Sequence, residues 1–319
     1  MPVAPTRSPL PGSRRLASLA TGCALLAAAL TGATVPAGAA TAARTTIAAA
    51  APQSDPVTAA QALAAPGVPG ANNWSCKPSP AHPRPMVLVH GTFANGSVNW
   101  DTVAPALAAD GTCVFVLTYG AVPNVPLLRA IAPVADSAQQ LSVFVDGVLA
   151  ATGAGQVDIV GHSQGGMMPR YYLKFDGGAA KVHTLVGLAP SNHGTTLDGL
   201  ATLAKSFPGA LDLVGSVCPA CTDQVTGSDL LNRLNAGGDT VPGVTYWVIA
   251  TGYDEVVTPY LSQFLSGPDV HNVLVQDLCP TNIPDHVLMA VDLVVLHEVR
   301  HALDPAQVAT ANCWANLTG

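Results

Sequence analysis

A serine hydroxyl is a weak nucleophile until a base takes its proton and an acid fixes that base's tautomer. The chain places one serine where such help could reach it, in Gly161-His162-Ser163-Gln164-Gly165-Gly166. Residues 156–160 ahead of it are apolar and partly β-branched, and read as a buried strand; residues 167–175 behind it carry the apolar spacing of a helix. Strand, G-x-S-x-G and helix form the setting of a nucleophile elbow, a turn that strains the serine and pushes its hydroxyl into a cleft. Gly161 and Gly165 fall where a Cβ would collide as helix packs on strand. The same turn aims the Gln164 N–H at the point where charge develops on an attacked carbonyl, so Gln164 is one expected oxyanion donor.

With this elbow, the acid should follow a strand downstream and the base should follow a later one. Asp254 lies just past the apolar run 244–250; Glu255 would need a one-residue shift, and Asp254 is preferred. Nine histidines compete for the base. His82 and His90 precede the serine, His162 adjoins it on a turn that aims its ring elsewhere, and His183 lies within a strand. His193 and His271 do not follow the final strand. Of His286, His297 and His301, only His286 leads from a loop, Ile283-Pro284-Asp285-His286, and it is the expected base. A second oxyanion donor should come from the loop after an early strand. His90-Gly91-Thr92 follows the strand at 85–89, which makes Thr92 the choice, its hydroxyl a further donor; His90 is expected to bond within its own loop.

A rival chemistry is written into His297-Glu298-Val299-Arg300-His301, which matches the H-E-x-x-H pattern of zinc-dependent proteases. Zinc needs a third protein ligand. Only Asp304 follows, and Pro305 ends the helix, so an exposed polar helix face is the preferred reading, with no metal and no organic cofactor.

The elements that must hold these residues alternate. Strands are expected at 85–89, 112–118, 156–160, 182–188, 244–250 and 271–275, with helices at 135–152, 167–175 and 286–303. That order predicts an α/β fold, a mostly parallel central sheet with helices on both faces. Residues 197–217 read equally as core helices or as the wall of an apolar pocket.

The chain has 319 residues, 49% of them apolar and 10% charged, with a net charge of −7. Residues 1–40 carry Arg14 and Arg15, an apolar stretch and Gly38-Ala39-Ala40, the pattern of a cleaved secretory signal. Without it, 10 basic groups face 20 acidic ones, which argues against nucleic acid as a partner. Residues 41–73, rich in Ala and Pro, are expected to be a flexible linker, and 74–319 the folded domain, a secreted monomer without a membrane span. Losing the signal also removes Cys23 and leaves six cysteines: Cys76, Cys113, Cys218, Cys221, Cys279 and Cys313. An even count in an exported chain argues for disulfides, whose pairing spacing alone leaves open. Cys218-Pro-Ala-Cys221 is expected to be a local staple rather than a redox pair.

Over residues 74–315 the chain resembles the extracellular lipases of the α/β-hydrolase superfamily, of the lipase B group and the actinomycete secreted (class 2) lipases. The likeness is carried by Ser163-Gln164-Gly165-Gly166, Gly91-Thr92, Asp254-Glu255-Val256-Val257 and Asp285-His286, with Thr226-Gly227-Ser228 and Asn235-Ala236-Gly237-Gly238 beside them. It implies Ser163, Asp254 and His286 as the triad, Thr92 and Gln164 as oxyanion donors, and Gln224 as a pocket-lining residue. It also implies Cys76–Cys113 and Cys279–Cys313 disulfides, leaving Cys218–Cys221 peculiar to this chain. Two positions depart from the pattern: His162 replaces a tryptophan and Ser191 an acidic residue, both in the substrate pocket. The expected activity is triacylglycerol or other ester hydrolysis, with a lipid or ester partner at an oil–water interface and short-chain esters or polyesters as alternatives.

Overall fold

Five of the six strands are short, largely apolar runs, and they are buried accordingly. The computed structural model describes residues 55–210, 212 and 217–314; the expected signal and residues 41–54 lie outside them. The strands β1 (Met86–Val89), β2 (Val114–Leu117), β3 (Val157–His162), β4 (Val182–Leu188), β5 (Thr245–Ala250) and β6 (Val270–Leu274) join in the order β2-β1-β3-β4-β5-β6. Every pairing is parallel. Continuous burial of β1, β2 and β3 is the mark of a parallel sheet covered on both faces. Only the edge strand β6 is largely uncovered.

Ten α-helices and three short 3-10 helices (Gly178–Ala180, Tyr260–Gln263 and Leu288–Ala290) connect and flank these strands among the described residues. In chain order the α-helices are α1 (Pro56–Gln61), α2 (Gly96–Asn99), α3 (Val103–Ala109), α4 (Val134–Thr152), α5 (Gln164–Phe175) and α6 (Leu197–Ala204), then α7 (Pro219–Asp223), α8 (Asp229–Asn235), α9 (Val275–Leu278) and α10 (Leu293–Leu303). Strand alternation splits the core. Val87, Val89, Phe115 and Ile159 meet Leu141, Phe144 and Val148 of α4 and Met167 and Tyr172 of α5. Their neighbours Leu88, Val116 and Val160 point the other way, onto Leu107 of α3 and Val295 and Val299 of α10.

Two expectations are corrected. Residues 55–73 are folded rather than a linker. Asp55 caps α1 through Thr58 N–H (3.1 Å), and Ala60 is fully buried beside Gly147 of α4, where a Cβ would lie 2.2 Å from it. The Asn72 amide then bonds the edge of β2, accepting from Val116 N–H and donating to Ala65 C=O, both at 2.8 Å. An Ala-rich segment shows no periodicity because its small residues fit a groove on either side, yet its backbone closes an exposed sheet edge. The last helix, expected from His286, starts at Leu293, where Asp292 accepts from Val294 and Val295 N–H (2.8 and 3.0 Å). His286 therefore sits on a loop seven residues before the helix proper.

Disulfides join Cys76–Cys113, Cys218–Cys221 and Cys279–Cys313.

Candidate active site

Ser163 links β3 to α5 with φ 56° and ψ −123°, a left-handed conformation that costs a β-carbon-bearing residue energy. Its neighbours show why the motif needs glycine. A Cβ on Gly161 would lie 1.8 Å from the Gly165 carbonyl oxygen, and one on Gly165 would lie 2.2 Å from that of Val89. The strain is held by the sheet: Ser163 N–H bonds Leu188 C=O at 2.8 Å.

Asp254 lies in the turn after β5. Its Oδ1 accepts from Val256 and Val257 N–H (2.9 and 2.8 Å), and its Oδ2 from Gln263 Nε2 and His286 Nδ1 (both 2.8 Å). Burial works to raise the Asp254 pKa, but the attraction and hydrogen bond of His286, with the two backbone donors, hold it below the usual value. The His286 and Asp254 side chains have no exposed surface. Because Nδ1 faces a carboxylate, it carries the ring proton, and Nε2 is left as a lone pair. Among the described residues no group bonds that buried Nε2, the Ser163 hydroxyl included. Glu255 has a different task, since its Oε2 accepts from the His286 N–H at 3.3 Å.

Thr92 and Gln164 meet on the other side of Ser163. Gln164 opens α5, so its N–H has no carbonyl one turn back to bond. The Thr92 oxygen accepts from two amides, Gln164 Nε2 (3.1 Å) and Gln224 Nε2 (2.9 Å). Each amide also donates to a backbone carbonyl, Ala130 and Ala220 respectively, at 3.0 Å, which fixes its nitrogen toward Thr92. Both lone pairs of the hydroxyl are thereby used, and its proton must point elsewhere. Thr92 lines a cavity of about 100 Å³ with Ser163, His162, Ala94, Val98 and Leu203.

A profile of class 2 lipases matches residues 83–277, more than half of the chain. The chain belongs to the class 2 lipase family. Among individual proteins, it is 36% identical over 97 residues to a triacylglycerol lipase of Pseudarthrobacter phenanthrenivorans, covering 27% of each chain. To one of Burkholderia plantarii it is 35% identical over 97 residues, covering 27% of this chain and 24% of that protein. The matched stretch thus spans about a quarter of these relatives. Among crystal structures, Aspergillus fumigatus lipase B superposes with a TM-score of 0.58 at 18% identity, over 77% of this chain and 58% of that one. The mature Bacillus licheniformis lipase BlEst2 gives 0.51 at 18%, over 67% and 88%. At such identity the superpositions speak for the α/β-hydrolase fold. The family match ends before His286, so the geometry of that loop rests on this chain's own contacts.

The remaining expected residues divide. His162 lines the cavity, whereas Ser191 and Gln224, expected there too, are each 1% exposed and stand behind Thr92. Ser191 donates to Gln224 Oε1 at 2.9 Å and so orients the amide. In the 197–217 stretch, α6 does both jobs offered for it: Leu200 is core, and Leu203 lines the cavity with Phe207. His90 is structural as expected, its Nδ1 donating to Gly91 C=O (2.9 Å), stacked on Tyr119 and lowered to a pKa of about 4 chiefly by burial.

The H-E-x-x-H histidines hold the segment that follows α10, each bonding one of its carbonyls. His297 Nε2 reaches Ala309 C=O (3.2 Å) and His301 Nδ1 reaches Val308 C=O (2.6 Å). Glu298, expected on an exposed face, is 1% exposed and accepts from Thr310 Oγ1 and Ala311 N–H (2.9 and 2.8 Å). A larger cleft, about 500 Å³, lies at the opposite, amino-terminal end of the sheet, where its arginines pair with aspartates: Arg84 with Asp158 and Arg300 with Asp110.

Sequence reasoning missed Gln263, Tyr119 and Asn99. The Tyr119 hydroxyl donates to His90 C=O (2.8 Å) with Gln164 Oε1 also within reach (3.1 Å), and Asn99 Oδ1 accepts from Gly91 N–H (3.1 Å). Their positions follow from loop crossings and leave no spacing to read.

Proposed function

We propose that this chain is a secreted serine ester hydrolase of the triacylglycerol lipase type, with Ser163 as nucleophile, His286 as base and Asp254 as the acid that orients it. The observation that supports this reading is the buried His286–Asp254 pair, whose Nε2 bonds no group among the described residues and whose chain neighbour Val287 lines the cavity with the strained Ser163. In the free protein the nucleophile and base are not hydrogen-bonded, and their bond forms as the ester docks.

Ser163 Oγ attacks the ester carbonyl carbon while His286 Nε2 takes its proton. The imidazolium is stabilised by Asp254, which stays ionised. Negative charge on the former carbonyl oxygen is met by the N–H groups of Thr92 and Gln164 and by the Thr92 hydroxyl. Collapse expels the alcohol, which leaves with the proton from Nε2. Water then attacks the acyl-enzyme by the same steps in reverse order of partners, with His286 again the base.

The acyl side is supported by the apolar lining of Ala94, Leu203, Phe207 and Val287. At its mouth Val98 and Leu288 remain 61% and 49% exposed, which fits an apolar, aggregated substrate. Export is supported by the three disulfides, which persist in oxidising surroundings. Among the described residues no helix is long and apolar enough to cross a membrane.

Ser163→Ala tests the reading: ester hydrolysis and labelling by a serine-directed phosphonate should both vanish while circular dichroism and secretion are retained. Activity surviving in that variant rejects it. Rates across esters of graded chain length, below and above their solubility, then separate lipase from short-chain esterase and polyester hydrolase.

A further inference from the structure

His162 replaces the tryptophan of the resembling pattern, and its ring is put to a use that shape alone does not explain. It ends β3 immediately before the nucleophile and is 5% exposed. Its Nε2 lies 2.9 Å from the main-chain carbonyl oxygen of His286, and the two rings are 5.1 Å apart. Its Nδ1 lies 3.1 Å from Asn99 Oδ1, which also accepts the N–H of Gly91 in the oxyanion loop. Burial, and then the neighbouring His286, lower the His162 pKa to about 3, so the ring is neutral and carries a single N–H. Both ring nitrogens face oxygens that only accept, so the single N–H goes to the nearer one, Nε2–H donating to the His286 carbonyl.

We propose that His162 is a positioning residue for the base: through its Nε2–H it ties the main chain of His286 to the strand that carries Ser163. This rests on the hydrolase reading above. The segment bearing His286 belongs to no strand, and only a single 3-10 turn, Leu288–Ala290, separates it from α10. The residue itself is held by Asp254 on Nδ1, Glu255 on the N–H and His162 on the carbonyl, while Thr251 Oγ1 donates to Pro284 C=O (2.9 Å) two residues earlier. The first leaves the ring free to swing about the carboxylate. Glu255 is exposed, and its 3.3 Å bond is long. The His162 bond is short, buried and anchored in the sheet, so it sets how far Nε2 stands from Ser163. A misplacement of about 1 Å in such a pair can cost about 100-fold in rate.

Three proteins decide it: wild type, His162→Phe, which keeps a ring but no donor, and His162→Gln, whose amide can donate to the same carbonyl. On a soluble short-chain p-nitrophenyl ester, His162→Phe should lower kcat about 10- to 100-fold with KM nearly unchanged, and His162→Gln should recover most of the loss. Amide exchange in peptides spanning 283–291, read without substrate, should quicken in His162→Phe and return toward wild type in His162→Gln. Wild-type kcat in His162→Phe, or equal damage in both variants, overturns the tether. Should His162→Phe not fold, His162→Met is read in its place with the same expectations. If the wild type hydrolyses no ester, the hydrolase reading alone fails, and unchanged exchange across the three proteins then overturns the tether by itself.

Discussion

Thr92→Val is the sharpest perturbation of the proposed oxyanion site, because valine keeps the β-branched shape and removes only the hydroxyl. The magnitude follows from the bonding around that oxygen. Gln164 and Gln224 fill both of its lone pairs (3.1 and 2.9 Å), and neither amide can turn away without losing a backbone carbonyl at 3.0 Å. The hydroxyl proton is therefore available to a developing oxyanion without reorganisation. Losing one such donor typically costs about 2.7–4 kcal/mol of transition-state stabilisation, or roughly 100- to 1,000-fold in kcat. KM should barely move, since a ground-state ester carries little charge on that oxygen. Two buried amide N–H groups would also lose an acceptor, at about 1–3 kcal/mol of stability each, so denaturation curves must accompany the kinetics. Thr92→Ser restores the hydroxyl and should restore most of kcat. A soluble ester assayed under saturation suffices. A Thr92→Val protein that is folded and keeps more than a tenth of wild-type kcat, or that loses binding instead of turnover, refutes the argument.

Other expectations can be checked with similar means. Asp254→Asn should lower kcat by roughly 10⁴-fold with little change in fold, because the ring would then adopt the wrong tautomer; steady-state kinetics with a phosphonate titration of active sites decide it. His193 bonds two acceptors, Asp239 Oδ1 (3.1 Å) and Ser262 C=O (2.9 Å), and its pKa is raised above 6.5, mainly by the Asp239 bond. Its contribution to stability is thus complete below about pH 6.5 and lost as pH rises through the higher folded value. The melting temperature of wild type should fall relative to His193→Gln across that window, and parallel curves would show the bond to be idle. Replacing Cys76 and Cys113 by serine opens a link between residues 37 apart and should cost up to about 4 kcal/mol in chain entropy. Opening Cys218–Cys221, three apart, should cost under about 2 kcal/mol, both read from denaturant midpoints.

Much of the fold and the proposed site was legible in the chain itself, for a local reason. An elbow needs small residues at set positions, and buried parallel strands need continuous apolar runs, so Gly161, Gly165 and five of the strands announce themselves within a few residues. The acid and base were reached by their order after the elbow, a topological rule rather than a contact. The H-E-x-x-H stretch shows the limit of pattern without surroundings: its glutamate is spent on Thr310 and Ala311.

Tertiary structure alone decided the rest. That Asn72 would close the edge of β2, that Gln263 would brace Asp254, and that Gln224 would turn its nitrogen on Thr92 are outcomes of loops crossing in space. An amide side chain can donate or accept in any direction, so nothing in its neighbours along the chain says which role it takes. Apolar spacing, by contrast, is repeated along the sequence because one helix or strand must bury one face, and that repetition is what a reader of the sequence can see.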